Sequence, residues 1–149
     1  MTERGVSTTL NYTLTLGISA ILVVGLLTAG GNFVESQRNA VVDSELEVIG
    51  ERLASDIATA DRLVRAGPTD PTVNLTAQLP NAVSGRSYTI EIVPSGGNTS
   101  IELTSPALDR SITAKVANKT TVAETSVTGG DVEIYYDPTP GELVVKDAS

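Results

Sequence analysis

The chain contains no cysteine, no histidine and no tryptophan. Without cysteine it forms no disulfide bond, and without cysteine and histidine it lacks the usual ligands of zinc sites. The absence of histidine also removes the most frequent general acid or base near neutral pH. Four Tyr and one Phe are the only aromatic residues. A hydrophobic core must therefore be built from Val, Ile, Leu and Ala.

Positive charge is also scarce. Ten basic residues face eighteen acidic ones, which gives a net charge of −8, and only three of the cations are Lys. Nucleic-acid binding needs a basic footprint, so we expect no nucleic-acid partner. An acid excess with few Lys fits a protein that works in high salt, where self-repulsion is screened. A halophilic source is a hypothesis that this composition favours.

No arrangement of residues indicates catalysis. Nucleophile triads with histidine or cysteine are ruled out by composition, and no phosphate-binding glycine loop of Walker type is present. We therefore expect a protein that is not an enzyme and has no catalytic residue, cofactor or small-molecule substrate. Asp131, Glu133 and Asp137 surround one predicted strand and could offer oxygen ligands to Ca²⁺. Their spacing is not that of a calcium loop, so a solvated acidic face is favoured and no metal site is predicted.

The strongest positive feature is an uncharged run of thirty residues between Arg4 and Glu35. A helix that crosses a bilayer needs roughly 20 mainly apolar residues, and residues 10–29 supply them. The run is longer than the core of an ordinary secretory signal, and the helical pattern continues beyond it. Retention as a stem is favoured, with removal near Thr28-Ala29-Gly30 as an alternative.

An amphipathic helix follows the apolar run. Apolar residues recur at spacings of three and four on one face, whereas Glu45, Asp61 and other charged residues are expected on other faces. The Gly30-Gly31-Asn32 step weakens the helix, and we expect an interruption or bend there. Gly67-Pro68 predicts the helix end near Ala66. The apolar face consists of Val42, Leu46, Ile49, Leu53, Ile57, Ala60 and Val64.

Beyond Pro71 the apolar period changes to two. Apolar residues alternate with polar ones in six segments, and 121–127 is a less regular seventh. Short glycine-containing connections such as 95–98 and 128–131 separate them. This pattern predicts an antiparallel meander with one buried face, covered by the apolar face of the helix. The predicted fold class is α+β, with a long N-terminal helix packed on a C-terminal antiparallel sheet.

The residues Arg4-Gly5-Val6-Ser7 place a basic residue and a small one directly before the apolar run. Together with the stem, the amphipathic helix and the β-rich tail, this order resembles the archaeal type IV pilin-like proteins, particularly the haloarchaeal group with a class III signal. The resemblance covers the whole chain. It implies that a prepilin peptidase cleaves between Gly5 and Val6 and that the stem is retained. It also implies a membrane and other pilin-like subunits as partners.

At two positions the chain differs from the residues that are common in this family. Many pilins carry Glu five residues into the mature chain, where this chain has Leu10, and many haloarchaeal members have Pro where it has Thr8. Small residues in the stem permit close helix approach, although ordinary tolerance of small residues in membrane helices explains them equally well. Asn11, Thr13 and Thr15 suit either hydrogen bonds between stems or an interfacial location. The candidate packing residues are Leu14, Gly17, Ile21, Gly25 and Ala29.

Three glycosylation sequons lie in the predicted exterior part, at Asn74, Asn98 and Asn118. The chain is thus expected to comprise a leader (1–5), a membrane or filament-core helix (6–31), an amphipathic helix (32–66) and an extracytoplasmic β-rich domain (67–149). The function that the resemblance implies is a structural, minor subunit of an archaeal surface filament, anchored in the cell membrane by a single span before assembly. The alternative is a single-pass anchored binding or adhesion module that never polymerises.

Overall fold

A computed structural model describes residues 2–69 and 71–148. The chain divides into two compact units, Met1–Arg38 and Asn39–Ser149. The first unit is helical throughout its described part. The second contains helix residues 39–66 and all of the strands. The predicted α+β class is confirmed.

Helix α1 runs from Thr2 to Ala66. The interruption expected at Gly30-Gly31-Asn32 is wrong, because all three residues are helical. Each glycine costs a helix about 1 kcal/mol relative to alanine, and breaking the helix would free backbone groups that have no other partner. The expected end near Ala66 is confirmed. There the N–H of Gly67 donates to the carbonyl of Leu63 at 3.0 Å.

Among the residues that the structure describes, eight strands follow the helix and form two four-stranded sheets in the orders β1-β7-β8-β5 and β4-β3-β2-β6. The consecutive pairing expected of a meander holds for β2-β3-β4 and β7-β8. Strand β1 instead pairs with β7, and β5 lies parallel to β8. The less regular segment 121–127 contains two short strands rather than one. The bounds are β1 Asn74–Ala77, β2 Thr89–Ser95, β3 Asn98–Ser105, β4 Arg110–Ala117, β5 Thr121–Val122, β6 Thr125–Thr128, β7 Val132–Asp137 and β8 Glu142–Asp147.

The core of the second unit lies between the helix and the inner faces of the strands. Side chains alternate between buried and exposed along β2, β3 and β8, as expected when only one sheet face is covered. The helix contributes the apolar face that the sequence indicates. Val42, Leu46, Ile49, Leu53, Ile57 and Ala60 are buried, and Val64 is partly buried against them.

Helix α1 packs closely against strands β3 and β4 at Gly50. A Cβ at this position would lie 3.0 Å from Cδ1 of Leu103, 3.1 Å from Cβ of Ala114 and 3.2 Å from Cδ1 of Ile112. The absence of a side chain at Gly50 therefore lets the strand side chains contact the helix backbone surface. Strand β4 runs in the same direction as the helix, since Arg110 contacts Asp43 and the residues after Ala117 contact Asp61.

Tyr88 closes one side of this core. Its side chain is 1% exposed, and its hydroxyl donates to the carbonyl of Pro80 at 2.7 Å. Gly129 lies directly against the ring, because a Cβ there would be 2.6 Å from Cζ and 2.7 Å from Cδ1 of Tyr88. The N–H of Gly129 donates to the carbonyl of Tyr88 at 2.8 Å. The largest buried side chain of the unit is thus held between Pro80 and Gly129.

Candidate functional site

The apolar stem, residues 6–31, forms one continuous helical surface. Every side chain from Glu3 to Arg38 is exposed in the described structure. The large apolar residues at its centre are more than half exposed, with Ile21 at 73%. This part of the helix is long and apolar enough to span a membrane. In water, so much exposed apolar surface would carry a large hydrophobic cost.

The polar side chains of the stem are largely satisfied within the helix itself. Hydroxyls of Thr13 and Thr15 donate to the carbonyls of Thr9 and Asn11, at 2.9 and 2.8 Å, and Thr28 donates to Val24 in the same way. Each bond joins a residue to the carbonyl one turn earlier. In lipid, where no water can bond a hydroxyl, this arrangement lowers the cost of burying threonine. The two threonines thus have partners without any neighbouring stem.

The residues proposed for processing and for packing lie in the same exposed helix. Arg4, Gly5 and Val6 are helical, and no heavy atom lies within 4 Å of the position that a Cβ on Gly5 would take. The surroundings of Gly17 and Gly25 are equally open. Leu14, Ile21 and Ala29 are exposed as well. The described structure brings none of these packing residues into contact with a buried core.

Three carboxylates in helix residues 39–66 accept hydrogen bonds from the β region. We call these three carboxylates the helix seam. Asp43 accepts two hydrogen bonds from the guanidinium of Arg110, of which the Nε bond measures 2.7 Å. Glu45 accepts the backbone N–H of Ser84 at 3.0 Å. Asp61 accepts the N–H of Thr120 at 2.7 Å. The seam thus joins the helix to the first residue of β4 and to two connections of the β region.

Asp61 is the buried member of the seam, with 3% of its surface exposed. Burial raises the pKa of its carboxyl, but the hydrogen bonds from Thr120 and Lys119 and the charge of Arg65 outweigh it. The resulting pKa lies below the ordinary value. The expectation that Asp61 lies on a polar face is wrong. It lies one turn after Ile57 and next to Ala60, and this spacing is the signal by which the sequence could have placed it at the edge of the buried face.

Glu45 stabilises a strained turn. The pair Val83–Arg86 closes a two-residue connection in which Ser84 and Gly85 both have positive φ, 47° and 76°. Such angles suit glycine but cost an L-residue such as serine free energy. The Glu45 carboxylate accepts both the N–H and the hydroxyl of Ser84, which favours the strained conformation. The segment 84–87 is thus a contact point of the helix.

The three sequons have different environments. Asn98 is exposed at the start of β3, and Asn74 is exposed in β1 with its amide bonded to Glu133. Asn118 is only 8% exposed, its Oδ1 accepts from Thr99 at 2.9 Å and its Nδ2 donates to Thr120 at 2.7 Å. In the folded chain, both the oxygen and the nitrogen of the Asn118 amide are therefore engaged in internal hydrogen bonds.

The acidic residues near β7 do not converge. Glu133 pairs with Lys146 at 2.9 Å, and the hydrogen bond from Lys146 is the main reason why its pKa is lowered. Asp137 accepts the N–H of Thr139 at 2.9 Å. No group of three or more potential metal ligands occurs in residues 2–69 and 71–148. The acidic face is thus used in local pairs.

These features define a class of protein in which a helix able to cross a membrane continues into a compact α+β unit. The chain belongs to a family of unknown function, DUF7266, whose pattern matches residues 1–146. No curated protein and no solved structure matches the chain. The family match thus covers nearly the whole chain, but it does not indicate a function.

Proposed function

We propose that the chain is a structural subunit of a type IV pilus-like surface filament, held in the membrane by its stem before assembly. The observation that carries this proposal is a contrast along one helix. The apolar side chains of the stem are all exposed, whereas the apolar face from Val42 to Ala60 is buried within its own unit. The stem is therefore the part of the chain whose apolar surface calls for a partner.

A retained stem can satisfy this requirement in two environments. Lipid covers it in the membrane, and stems of other subunits cover it in a filament. Because lipid tails are as apolar as the stem, the transfer depends on close packing and polar contacts more than on the hydrophobic effect. Gly17 and Gly25 have open surroundings that allow another helix to approach. Such a subunit moves between bilayer and filament without refolding its exterior unit.

The processing step follows from the residues before the stem. Cleavage between Gly5 and Val6 by a prepilin peptidase removes Glu3 and Arg4 together, so the net charge is unchanged. Gly5 is exposed and helical. A peptidase acts on extended backbone, and the low helix propensity of glycine eases local unwinding at the cut. The new amino terminus at Val6 then begins an apolar stem.

The test is the N-terminal residue of the native protein, measured by mass spectrometry on envelope and sheared-filament fractions of its own host. A start at Val6 in both fractions supports processing and assembly. A start at Met1 or Thr2, found only in the envelope, contradicts both. A start near Gly30 would identify the stem as a removed signal and would contradict membrane anchoring as well.

Matched variants make the cleavage claim sharper. Gly5→Leu places a bulky side chain next to the cut and should leave the chain uncleaved. Gly5→Ala keeps a small residue and should be cleaved as the unchanged chain is. The open surroundings of Gly5 mean that neither side chain meets another part of the described chain. Normal cleavage of Gly5→Leu would contradict the proposed site.

The second candidate is an anchored exterior module that does not polymerise. One observation favours it, namely that the second unit closes its core with its own helix segment and so requires no neighbouring subunit. The module and the filament subunit differ in where the mature protein is found. Disulfide cross-linking through Gly17→Cys, introduced into a chain without cysteine, should give covalent dimers in filaments and should leave an isolated anchor monomeric.

A further inference from the structure

We infer that Asn98 is the acceptor of an N-linked glycan and that Asn118, despite its sequon, is a structural residue that stays unmodified. The inference rests on the exterior placement of the second unit in the proposed function, but not on cleavage or polymerisation. All three sequons are equivalent as sequence motifs. Only the environments of the three asparagines in the folded chain distinguish them.

The Asn98 sequon is presented at the tip of a hairpin. The turn between β2 and β3 is formed by Gly96 and Gly97, both with positive φ, and Asn98 follows as the first residue of β3. The side chain of Asn98 is exposed. Its amide, unlike those of Asn74 and Asn118, has no hydrogen-bond partner among the described residues. Nδ2 of Asn98, the atom that would receive a sugar, therefore faces solvent with no hydrogen bond to the described residues to break.

The hydroxyl that completes this sequon lies on the same side. Ser100 is two residues beyond Asn98 in an extended strand, so both side chains point to the outer face of the sheet. The intervening Thr99 points inward and is fully buried. A transferase that reads the asparagine and the hydroxyl together can thus approach both from solvent, without opening the core.

Asn118 shows the opposite arrangement. Its amide links Thr99 of β3 to the carbonyl of Thr120, and the N–H of Thr120 in turn donates to Asp61 of the helix. A sugar on Nδ2 would replace one of its two hydrogens and would have to fit where only 8% of the residue is exposed, next to the bonded Thr99 and Thr120. A glycan at Asn118 is therefore incompatible with the folded unit.

Asn74 is intermediate between the two. It is exposed in β1, and Thr76 of its sequon is exposed on the same face. Its Nδ2 donates to a carboxylate oxygen of Glu133, which also pairs with Lys146. To act as a nucleophile, the amide nitrogen would first have to leave this charge-assisted bond. Asn98 carries no such cost, so it is the preferred acceptor.

The reaction is a glycosyl transfer from a lipid-phosphate-linked oligosaccharide catalysed by a membrane transferase. Nδ2 of Asn98 forms a bond to the anomeric carbon of the first sugar, and the bond from that carbon to the lipid phosphate oxygen breaks. The nitrogen loses one proton to a base of the transferase, and the lipid phosphate leaves with the bonding electron pair. No electron transfer is involved.

Site-resolved glycopeptide mass spectrometry of the native protein tests the inference. The expected result is a sugar mass on the peptide that contains Asn98 and a bare peptide at Asn118. A bare Asn98 or a modified Asn118 in the folded protein overturns it. The N-terminal peptide from the same digest reports cleavage separately. A glycan at Asn98 on a chain that begins at Met1 would thus overturn only the proposed processing.

Variants at the sequon provide the matched controls. Asn98→Gln and Ser100→Ala should each abolish the added mass completely, whereas Ser100→Thr keeps the hydroxyl and should retain it. Because Asn98 and Ser100 point away from the core, these variants should unfold at the same denaturant concentration as the enzymatically deglycosylated chain. Asn118→Gln should retain the sugar mass while lowering stability. Retention of the full mass in Asn98→Gln would contradict the assignment.

Discussion

Asp61 on the helix accepts the backbone N–H of Thr120 at 2.7 Å, and the same oxygen accepts the N–H of Lys119 at 3.2 Å. Two successive amides after β4 are thus bound to one carboxylate, in a place where Asp61 is almost completely buried. A carboxylate that accepts amide hydrogen bonds in this way is stabilised in its charged form. At its buried end, the helix seam is therefore stabilised by the negative charge of Asp61.

The first prediction concerns this carboxylate. Asp61→Ala leaves two amides without an acceptor, so the free energy of unfolding should fall by about 2–4 kcal/mol. Asp61→Asn, which keeps an oxygen but loses the charge, should lose less. Chemical denaturation of the full chain in detergent measures both. Asp56→Ala on the same helix is the control and should change stability by no more than about 0.5 kcal/mol. Equal losses at both positions would contradict the seam.

A second prediction follows from the lowered pKa values of the seam. The pKa of Asp43 is lowered chiefly by the hydrogen bond from Arg110, and that of Asp61 by its amide donors and Arg65 against the opposing effect of burial. A carboxyl whose pKa is lower folded than unfolded stabilises the fold fully above its unfolded pKa, about 3.9 for Asp. This stabilisation is lost as the pH falls through the folded value.

The denaturation midpoint should therefore be flat above pH 5 and should decrease below about pH 4, where unfolded Asp begins to bind protons. Circular dichroism of the full chain in detergent at several pH values measures this. Asp61→Asn removes one titrating group, so its midpoint should decrease less between these pH values than that of the unchanged chain. An identical acid response of the two proteins would show that Asp61 does not contribute.

The third prediction concerns the close packing of the helix against the strands at Gly50. Gly50→Leu introduces a side chain where Cβ alone would already lie 3.0–3.2 Å from Leu103, Ala114 and Ile112. Overpacking of this kind costs about 1–3 kcal/mol, more than the better helix propensity of leucine returns. Thermal unfolding should reveal the loss. Ser55→Leu, at an exposed position of the same helix, should be neutral or slightly stabilising.

The fourth prediction tests the stem as a membrane span. Leu22→Arg places a charge at the centre of the apolar run, where insertion costs about 2.5–3.5 kcal/mol in insertion experiments. The fraction of the chain that resists alkaline extraction from membranes should fall. Val48→Arg introduces the same charge at a helix position that is 68% exposed in the second unit and should leave membrane retention unchanged. Equal retention of both variants would contradict a bilayer-spanning stem.

The sequence predicted the helix and most strands because their patterns are local. Spacings of three and four marked the face from Val42 to Ile57, and alternation marked β2, β3 and β8. The strand order could not be predicted from the sequence, because the pairing of β1 with β7 and the parallel pair β5-β8 join segments far apart in the chain. Glycines at 30 and 31 suggested a break that their modest propensity cost does not produce.

The helix seam was the main feature that could not be predicted from the sequence. Asp61 alone carried a signal of burial, in its spacing from Ile57. Charged residues on a helix are usually solvated, however, and the sequence does not distinguish Asp43 and Glu45 from Glu47 or Glu51. The role of the three seam carboxylates depends on what the β region brings opposite them, namely Arg110, the turn at Ser84 and the amides of Lys119 and Thr120. Likewise, the sequon at Asn118 has the same letters as the one at Asn98, and only the fold shows that its amide is enclosed.

The enclosure of Tyr88 gives the second unit an intrinsic optical reporter. With no tryptophan in the chain, near-ultraviolet signals come mainly from four tyrosines. Tyr12 is exposed and Tyr135 and Tyr136 are half-buried, so Tyr88 is the one held in a fixed asymmetric environment. Burial raises its pKa, partly offset by a hydrogen bond with the backbone of Gly130. In alkaline solution the buried phenol of Tyr88 will therefore resist ionisation, and the absorbance change of its ionisation will mark the opening of the core.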